Sequence, residues 1–263
     1  MQFLQEDTVK VKQEDDIAEV VINRPQVMNA LNVDVLQGLV LACDRLERDE
    51  KLRVVIVTGE GEQAFAAGAD IQSVNQLGPR AMADYIELGQ RAMRKLETLR
   101  VPVLAAINGF ALGGGLELAL ACDIILASPE SRLGLPEVGL GVIPGFGGTQ
   151  RLLQRCGVGT ARRMIYSGDM LTAEEARSSG LVDILCESSE LMAQARQLAR
   201  TIASRAPLAV HQAKKVIRRF EEQDLLSGLR EEVEAFLKLF ETADREEGMG
   251  AFLQRRDPVF RGR

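Results

Sequence analysis

The 263-residue chain has no tryptophan, two tyrosines and a single histidine. One histidine cannot supply a His-based metal site. A Ser–His–Asp triad would depend wholly on His211, which follows Pro207 in a helix-like stretch beside Lys214 and Lys215, without any nucleophile context. A packing or surface role is therefore expected for His211. The four cysteines, Cys43, Cys122, Cys156 and Cys186, are too far apart in sequence for a paired metal-ligand motif. Cys43 and Cys122 lie in apolar runs, where a reduced thiol behaves as a small hydrophobe. No apolar run reaches the roughly 18 residues that suggest a membrane span. Residues 1–12 mix acids and bases without an apolar centre, which fits neither a secretion signal nor an Arg-rich transit peptide, so a cytoplasmic or already processed protein is expected. Positive charge is also in deficit: 32 Lys and Arg against 38 Asp and Glu, a net charge of −6. That balance argues against broad nucleic-acid binding.

What is present is the composition of an ordinary folded domain, 46% hydrophobic and 27% charged, in a length that suits one large domain or two small ones. In the first half, strand-like and helix-like segments alternate. Residues 17–22 read as a strand stopped by Asn23-Arg24-Pro25, and 33–48 have helical periodicity with Asn32 able to cap their start. Runs at 54–58 and 103–107 are of buried-strand type, separated by a helical stretch over about 80–99. A glycine cluster, an apolar helix at 116–121 and a strand-like 122–127 follow. Such alternation predicts βαβ-type crossovers. Beyond about residue 147 the pattern gives short helices at 149–155 and 161–166, a capping box at Thr172 and Glu175, and a strand at 181–185. Helix then runs from about 190 nearly to the end, with Pro207 in a first turn. The fold class is α/β: a core over 1–200 and a helical region over 201–263.

Three glycine-bearing segments carry the candidate chemistry. Phe65-Ala66-Ala67-Gly68-Ala69-Asp70 follows a strand and has only small residues before its acid. It fits a tight turn, or a place where a ligand approaches the backbone closely. Asn108-Gly109-Phe110-Ala111-Leu112-Gly113-Gly114-Gly115-Leu116-Glu117 puts three glycines at the start of an apolar helix. Free N–H groups there can meet an anionic oxygen, and Glu117 is placed either to cap the helix or to act in chemistry. In Arg132-Leu133-Gly134-Leu135-Pro136-Glu137, followed by a Gly/Pro-rich loop to Thr149, Glu137 is the only acid between Glu130 and Asp169. An isolated carboxyl in apolar surroundings has a raised pKa and can serve as a general acid; an exposed loop glutamate is the alternative. No run has the spacing of a P-loop or of G-x-G-x-x-G.

With Asn23-Arg24-Pro25, Asn29-Ala30-Leu31, Gly147-Gly148-Thr149-Gln150-Arg151-Leu152, Glu247-Gly248-Met249 and Ala251-Phe252, these segments run in order over almost the whole chain. Together they resemble the crotonase (enoyl-CoA hydratase/isomerase) superfamily. The resemblance implies the ClpP/crotonase-like fold of repeated ββα units with a C-terminal helical trimerisation region, and a homotrimer or homohexamer. It implies an acyl-CoA thioester substrate, of which CoA is a part, with no separate cofactor and no metal. By resemblance, Ala69 and Gly114 supply backbone donors to the thioester oxygen, an oxyanion hole in which one donor is worth roughly 10²–10³ in rate. Glu117 matches the base toward water and Glu137 the proton donor to C2, with the N–H of Gly145 a further contact to the water. CoA contacts are implied at Val27 and Met28 and along Ala67, Asp70, Ile71 and Gln72.

The chain departs from the family at several points. Gln26 stands where many hydratases have lysine, and Leu133 and Leu135 replace a Phe and a Gln. CoA is anionic, so local cations are required, with Arg24, Arg255, Arg256, Arg261 and Arg263 as candidates. The terminal segment with Phe260 is expected near the CoA of a neighbouring subunit, and residues 73–85 near the acyl chain. An isomerase is the nearest alternative activity, and the presence of both glutamates favours hydration. RNA binding, seen in some crotonase-like proteins, would need a basic helix. The stretch 80–100 instead mixes Arg91, Arg94, Lys95 and Arg100 with Asp84, Glu87 and Glu97.

Overall fold

The computed structural model describes residues 4–6, 8–219 and 224–263. Strands β1 (Leu4–Glu6), β2 (Val9–Glu14) and β3 (Ile17–Ile22) form an antiparallel meander. Helix α1 (Val33–Glu47) begins at Asn32, whose side-chain oxygen accepts from Val35 N at 3.0 Å, and returns the chain to β4 (Val54–Gly59), parallel to β3. From there a pattern of strand, short strand and helix repeats. It runs β4, β5 (Ala64–Ala66), the single-turn α2 (Ile71–Val74) and α3 (Pro79–Thr98). Next come β6 (Val103–Ile107), β7 (Phe110–Leu112) and α4 (Gly114–Leu120), then β8 (Ile124–Ala127), β9 (Arg132–Gly134) and α5 (Gly148–Ser167). The chain continues through β10 (Met170–Thr172), α6 (Ala173–Ser178), β11 (Ile184–Leu185), α7 (Leu191–Ala203), α8 (Pro207–Arg219), α9 (Leu225–Phe240) and α10 (Ala243–Gln254).

The first strand of each repeat joins a seven-stranded sheet, ordered β1-β2-β3-β4-β6-β8-β11, and the second joins a four-stranded sheet, β10-β9-β7-β5. These are the ββα units that the family resemblance implies. The large sheet is apolar on both faces, as parallel strands covered by helices must be. Its period of two sorts the side chains: Val55, Val57, Ala105 and Ile107 face the main core with α1 and α3. Val54, Ile56, Leu104 and Ala106 face Leu191, Ala195 and Ala199, a stripe at i, i+4 and i+8 on α7. Helix α7 thus belongs to the core and crosses the expected boundary at residue 200.

Several elements differ from the sequence reading. The strands of the small sheet are three residues each, too short to show a period. The strand expected over 181–185 pairs only at Ile184 and Leu185. The helices expected at 149–155 and 161–166 lie in α5 on either side of Gly157, whose φ of 75° breaks the helix. The capping box at Thr172 and Glu175 is present. All four cysteines are free thiols, with Cys43, Cys122 and Cys186 buried. No helix among the described residues is long and apolar enough to cross a membrane.

Helix α9 leaves Leu225, Leu229, Val233, Phe236 and Phe240 exposed along one stripe, with Phe236 and Phe240 stacked at 6.1 Å. The C-terminal tail folds back on its own α10. The buried Asp244 accepts from Arg261 N (2.7 Å) and Gly262 N (2.8 Å), and Phe260 lies against Gly248.

The tightest contact between layers is where α4 crosses β5: a Cβ on Gly115 would lie 1.8 Å from the carbonyl oxygen of Ala66. Gly115→Ala is therefore expected to lower the unfolding free energy by about 1–3 kcal/mol, as overpacked sites do, and with it the urea midpoint. An unchanged midpoint would show that α4 does not sit this close to β5.

Candidate active site

The site is built where the second strands of two repeats end. After β5, Gly68 takes φ +98°, and a Cβ there would lie 3.1 Å from Leu112 O and 3.9 Å from Gly113 Cα. After β7, Gly113 takes φ +51°, and a Cβ there would lie 2.9 Å from Glu137 Oε1. Only glycine suits either position. The two turns touch, which brings the residues that follow them, Ala69 and Gly114, to the same cavity. Ala69 sits between two anchored neighbours: Leu31 N donates to Gly68 O (2.8 Å) and Asp70 N to Leu31 O (3.0 Å). The N–H groups of Ala69 and Gly114 make no hydrogen bond among the described residues.

Glu117 lies in the first turn of α4 and is only 1% exposed. It does not cap its own helix. Its Oε1 accepts from Phe146 N (2.8 Å) and Gly148 N (2.6 Å), in the loop before α5. A Cβ on Gly148 would lie 2.9 Å from that same oxygen, so the approach needs a glycine. Glu137 comes from the 3-10 turn Pro136–Leu140. It is not an exposed loop acid: its Oε2 is buried and without a hydrogen-bond partner among the described residues. Burial pushes Glu117 up to about 7, with the charge of Glu137 adding to the rise. The two amide donors and Arg151 oppose it. Burial raises Glu137 as well.

The loop that holds Glu117 is itself held. Arg151 donates to Phe146 O (2.9 Å) and forks onto Glu97 (3.2 and 3.0 Å). Gln90 Nε2 donates to Gly145 O at 2.9 Å. The Phe146 ring meets Tyr85 edge to face at 5.4 Å, and Tyr85 OH donates to Leu31 O at 2.7 Å. The sequence reading assigned no role to Gln90 or Arg151, put Glu97 on a mixed-charge helix face, and had Tyr85 only as the end of the segment expected near the acyl chain. Arg151 had a signal, its place in the Gly-Gly-Thr-Gln-Arg-Leu run; Gln90 had none.

Ala69, Gly114, Glu117, Glu137 and Gly145 all line one cavity of about 290 Å³. Ala67 and Ile71 line it too. Of the segment expected to border an acyl chain, Val74, Met82 and Tyr85 do so, joined by Ile86. Leu140, Val142 and Ile143 complete an apolar wall that the sequence reading missed. The remaining candidates stand off the walls. Asp70 caps α2 and pairs with Arg24 at 2.9 Å. Val27 and Met28 are exposed on a 3-10 turn, where Met28 O accepts from Ala67 N at 3.0 Å. Gln72 is exposed on α2. Leu133 and Leu135 are core residues. Of the candidate cations, Arg24 is taken up by Asp70 and Arg256 by Glu247.

Known proteins resemble the chain in sequence and in fold. The family model described as enoyl-CoA hydratase/isomerase matches residues 12–263. The chain is 44% identical to a short-chain-enoyl-CoA hydratase of Clostridium acetobutylicum, over 94% of this chain and 95% of the relative. It is 39% identical to a crotonyl-CoA hydratase of Syntrophomonas wolfei, over 97% and 98%. The crystal structure of an enoyl-CoA hydratase from Bacillus anthracis superposes with a TM-score of 0.95 at 38% identity, covering 97% of this chain and 100% of that one. In sequence and in fold, the chain belongs to the enoyl-CoA hydratase/isomerase family.

Proposed function

We propose that the protein is an enoyl-CoA hydratase that adds water syn across the 2,3 double bond of a trans-2-enoyl-CoA, giving a (3S)-3-hydroxyacyl-CoA. The observation that carries this reading is a buried Glu117 and a partly buried Glu137 on one small apolar cavity, beside two main-chain N–H groups without a partner among the described residues. The thioester oxygen is received by Ala69 N–H and Gly114 N–H. As water attacks C3, the thioester becomes enolate-like, and these fixed donors stabilise the charge that develops on its oxygen.

The carboxyls divide the proton work. Glu117, with two amide donors on one oxygen, is the one whose anion is supported, and it takes a proton from the attacking water. Glu137, whose buried Oε2 has no partner among the described residues and whose pKa burial raises, gives a proton to C2. Each turnover leaves Glu117 protonated and Glu137 ionised, and proton exchange with solvent restores the pair. The two carboxyls titrate as a coupled pair, both raised by burial. Gly145 N–H is a further contact to the water. The short, apolar walls suit a short acyl chain, in keeping with the names of the relatives from Clostridium and Syntrophomonas. CoA leaves past Ala67 and Ile71 toward the exposed turn of Val27 and Met28, in a pathway of fatty-acid or related carboxylate degradation. The exposed apolar stripe on α9 supports a homotrimer or a dimer of trimers, because a contiguous apolar face of this kind is normally covered.

Glu117→Gln and Glu137→Gln are each expected to lower kcat on crotonyl-CoA by about 10²–10⁴, the usual worth of a general acid or base, with binding of a saturated acyl-CoA near normal. Full activity in Glu137→Gln would end the two-carboxyl mechanism. Protonation of Glu117 removes the base, so kcat/KM is expected to fall as pH drops through about 7; a profile flat to pH 5 would contradict its role. Light scattering on the eluting protein should give a trimer or hexamer, and Phe236→Glu should shift it toward smaller species. A wild-type monomer would refute the assembly.

A further inference from the structure

A second cavity, of about 440 Å³, lies at the other end of the large sheet. The thioester site is built from segments that follow the strands of the repeats. This cavity is built from segments that precede them: Glu50, Leu52 and Arg53 before β4, and Arg100, Val101 and Pro102 before β6. The six-residue strand β4 separates the two sites by roughly 20 Å. The junction of α7 and α8 and the C-terminal tail close it, contributing Arg205, His211 and Arg261.

Four arginines, Arg53, Arg100, Arg205 and Arg261, line this cavity, with Glu50 as the only acid on its walls. None of the four forms an ion pair with a carboxylate among the described residues. Elsewhere Arg24, Arg151, Arg155, Arg196 and Arg256 are each paired with an acid. Arg53 and Arg100 donate instead to backbone carbonyls, those of Glu50 and Asp49. Other carboxylates lie close by: Asp49 feels the charge of Arg100, and Glu247 that of Arg261. Glu47 accepts from Arg100 N, and Asp49 from Gln13 and from Lys51 N.

The tail is a fixed wall here. Asp244 grips Arg261 N and Gly262 N with both oxygens, and Asp244 N donates to Arg263 O at 3.0 Å. Gly262, at φ +75°, runs close enough to α8 that a Cβ would lie 3.2 Å from Pro207 and 3.7 Å from Arg53 Nη2. Four arginines from four separate segments, lining one half-open cavity with Glu50 as the one acid on its walls, form an anion cradle. Planar N–H forks of this kind match the tetrahedral oxygens of phosphate.

We propose that this cavity binds a small phosphate-bearing polyanion, separately from the acyl-CoA site. Two sources share that chemistry, an inorganic diphosphate and the diphosphate of a nucleotide. The chain reports on its own occupancy, because its single histidine lines the cavity. His211 is held below the usual histidine range by burial and then by the charge of Arg100, with Lys214 and Lys215 acting the same way and Glu47 opposing. An anion seated among the arginines would raise it.

The test uses untagged full-length protein, titrated with inorganic pyrophosphate and separately with ADP. Binding is followed by calorimetry and by the imidazole resonance of His211. The expected result is one saturable site per chain, a shifted His211 resonance and an upward-moved His211 titration. Arg205→Gln and Arg261→Gln, whose parent side chains make no hydrogen bond among the described residues, should keep the fold and each weaken binding at least tenfold. Arg205→Gln should leave crotonyl-CoA hydration unchanged. ADP binding more tightly than pyrophosphate with the same His211 shift supports the proposal and identifies a nucleotide; tighter pyrophosphate supports it and identifies the free anion. No saturable binding by 10 mM, binding undiminished in both variants, or competition with enoyl-CoA while His211 stays still would each overturn it.

Discussion

Two backbone amides on one oxygen of a buried glutamate hold the active site together. Phe146 N and Gly148 N reach Glu117 only because α4 is pressed onto β5 at Gly115 and because Gly148 has no side chain to block the approach. A carboxylate in such a place carries a large desolvation cost. The amides offset part of it, leaving the group poised near neutrality instead of fully charged or fully silent. The same contact fixes the loop from Gly145 to Gly148 across the cavity, and therefore fixes where water and substrate can sit. Arg151, Glu97, Gln90 and Tyr85 act through this loop, as positioning residues rather than reacting ones.

The three consecutive glycines show how a costly sequence feature is spent. Gly113 makes the turn that admits Glu137, Gly114 leaves room for Phe146, and Gly115 lets α4 meet Ala66. Each answers a different neighbour, and together they set the start of the helix at the cavity wall, which Gly113 and Gly114 line. Glu117 and Glu137 then occupy unequal surroundings, one donated to by amides and one left with an unpartnered oxygen. Unequal surroundings let two identical side chains take opposite parts in a proton transfer.

Much of this was legible from residue order. The large-sheet strands β4 and β6 and the helices α1 and α3 carried clear periodicity, and the glycine runs marked the segments that meet at the site. The small sheet was not legible, since a three-residue strand has no period to read. Nor was the partnership of Glu117 with a loop some thirty residues later, because its position in a first turn is equally that of a helix cap. The pairing of Glu97 with Arg151 spans 54 residues, and the wall at Leu140, Val142 and Ile143 comes from a loop whose path composition does not fix. Asp70 and Gln72 were read with their neighbours as ligand contacts, whereas the chain turns at Ala69 and sends Asp70 to cap α2 and to pair with Arg24.

In the mechanism proposed, Ala69 N–H, Gly114 N–H and the two carboxyl groups converge upon a single thioester. A crystal structure of the protein with butyryl-CoA, which has no double bond to hydrate, tests that convergence directly. It should show the thioester oxygen within hydrogen-bond distance of both amides, and the Cα–Cβ bond lying against Glu117 and Glu137 on one face. A thioester bound away from those amides, or an acyl chain that reaches only one of the two carboxyls, would contradict it.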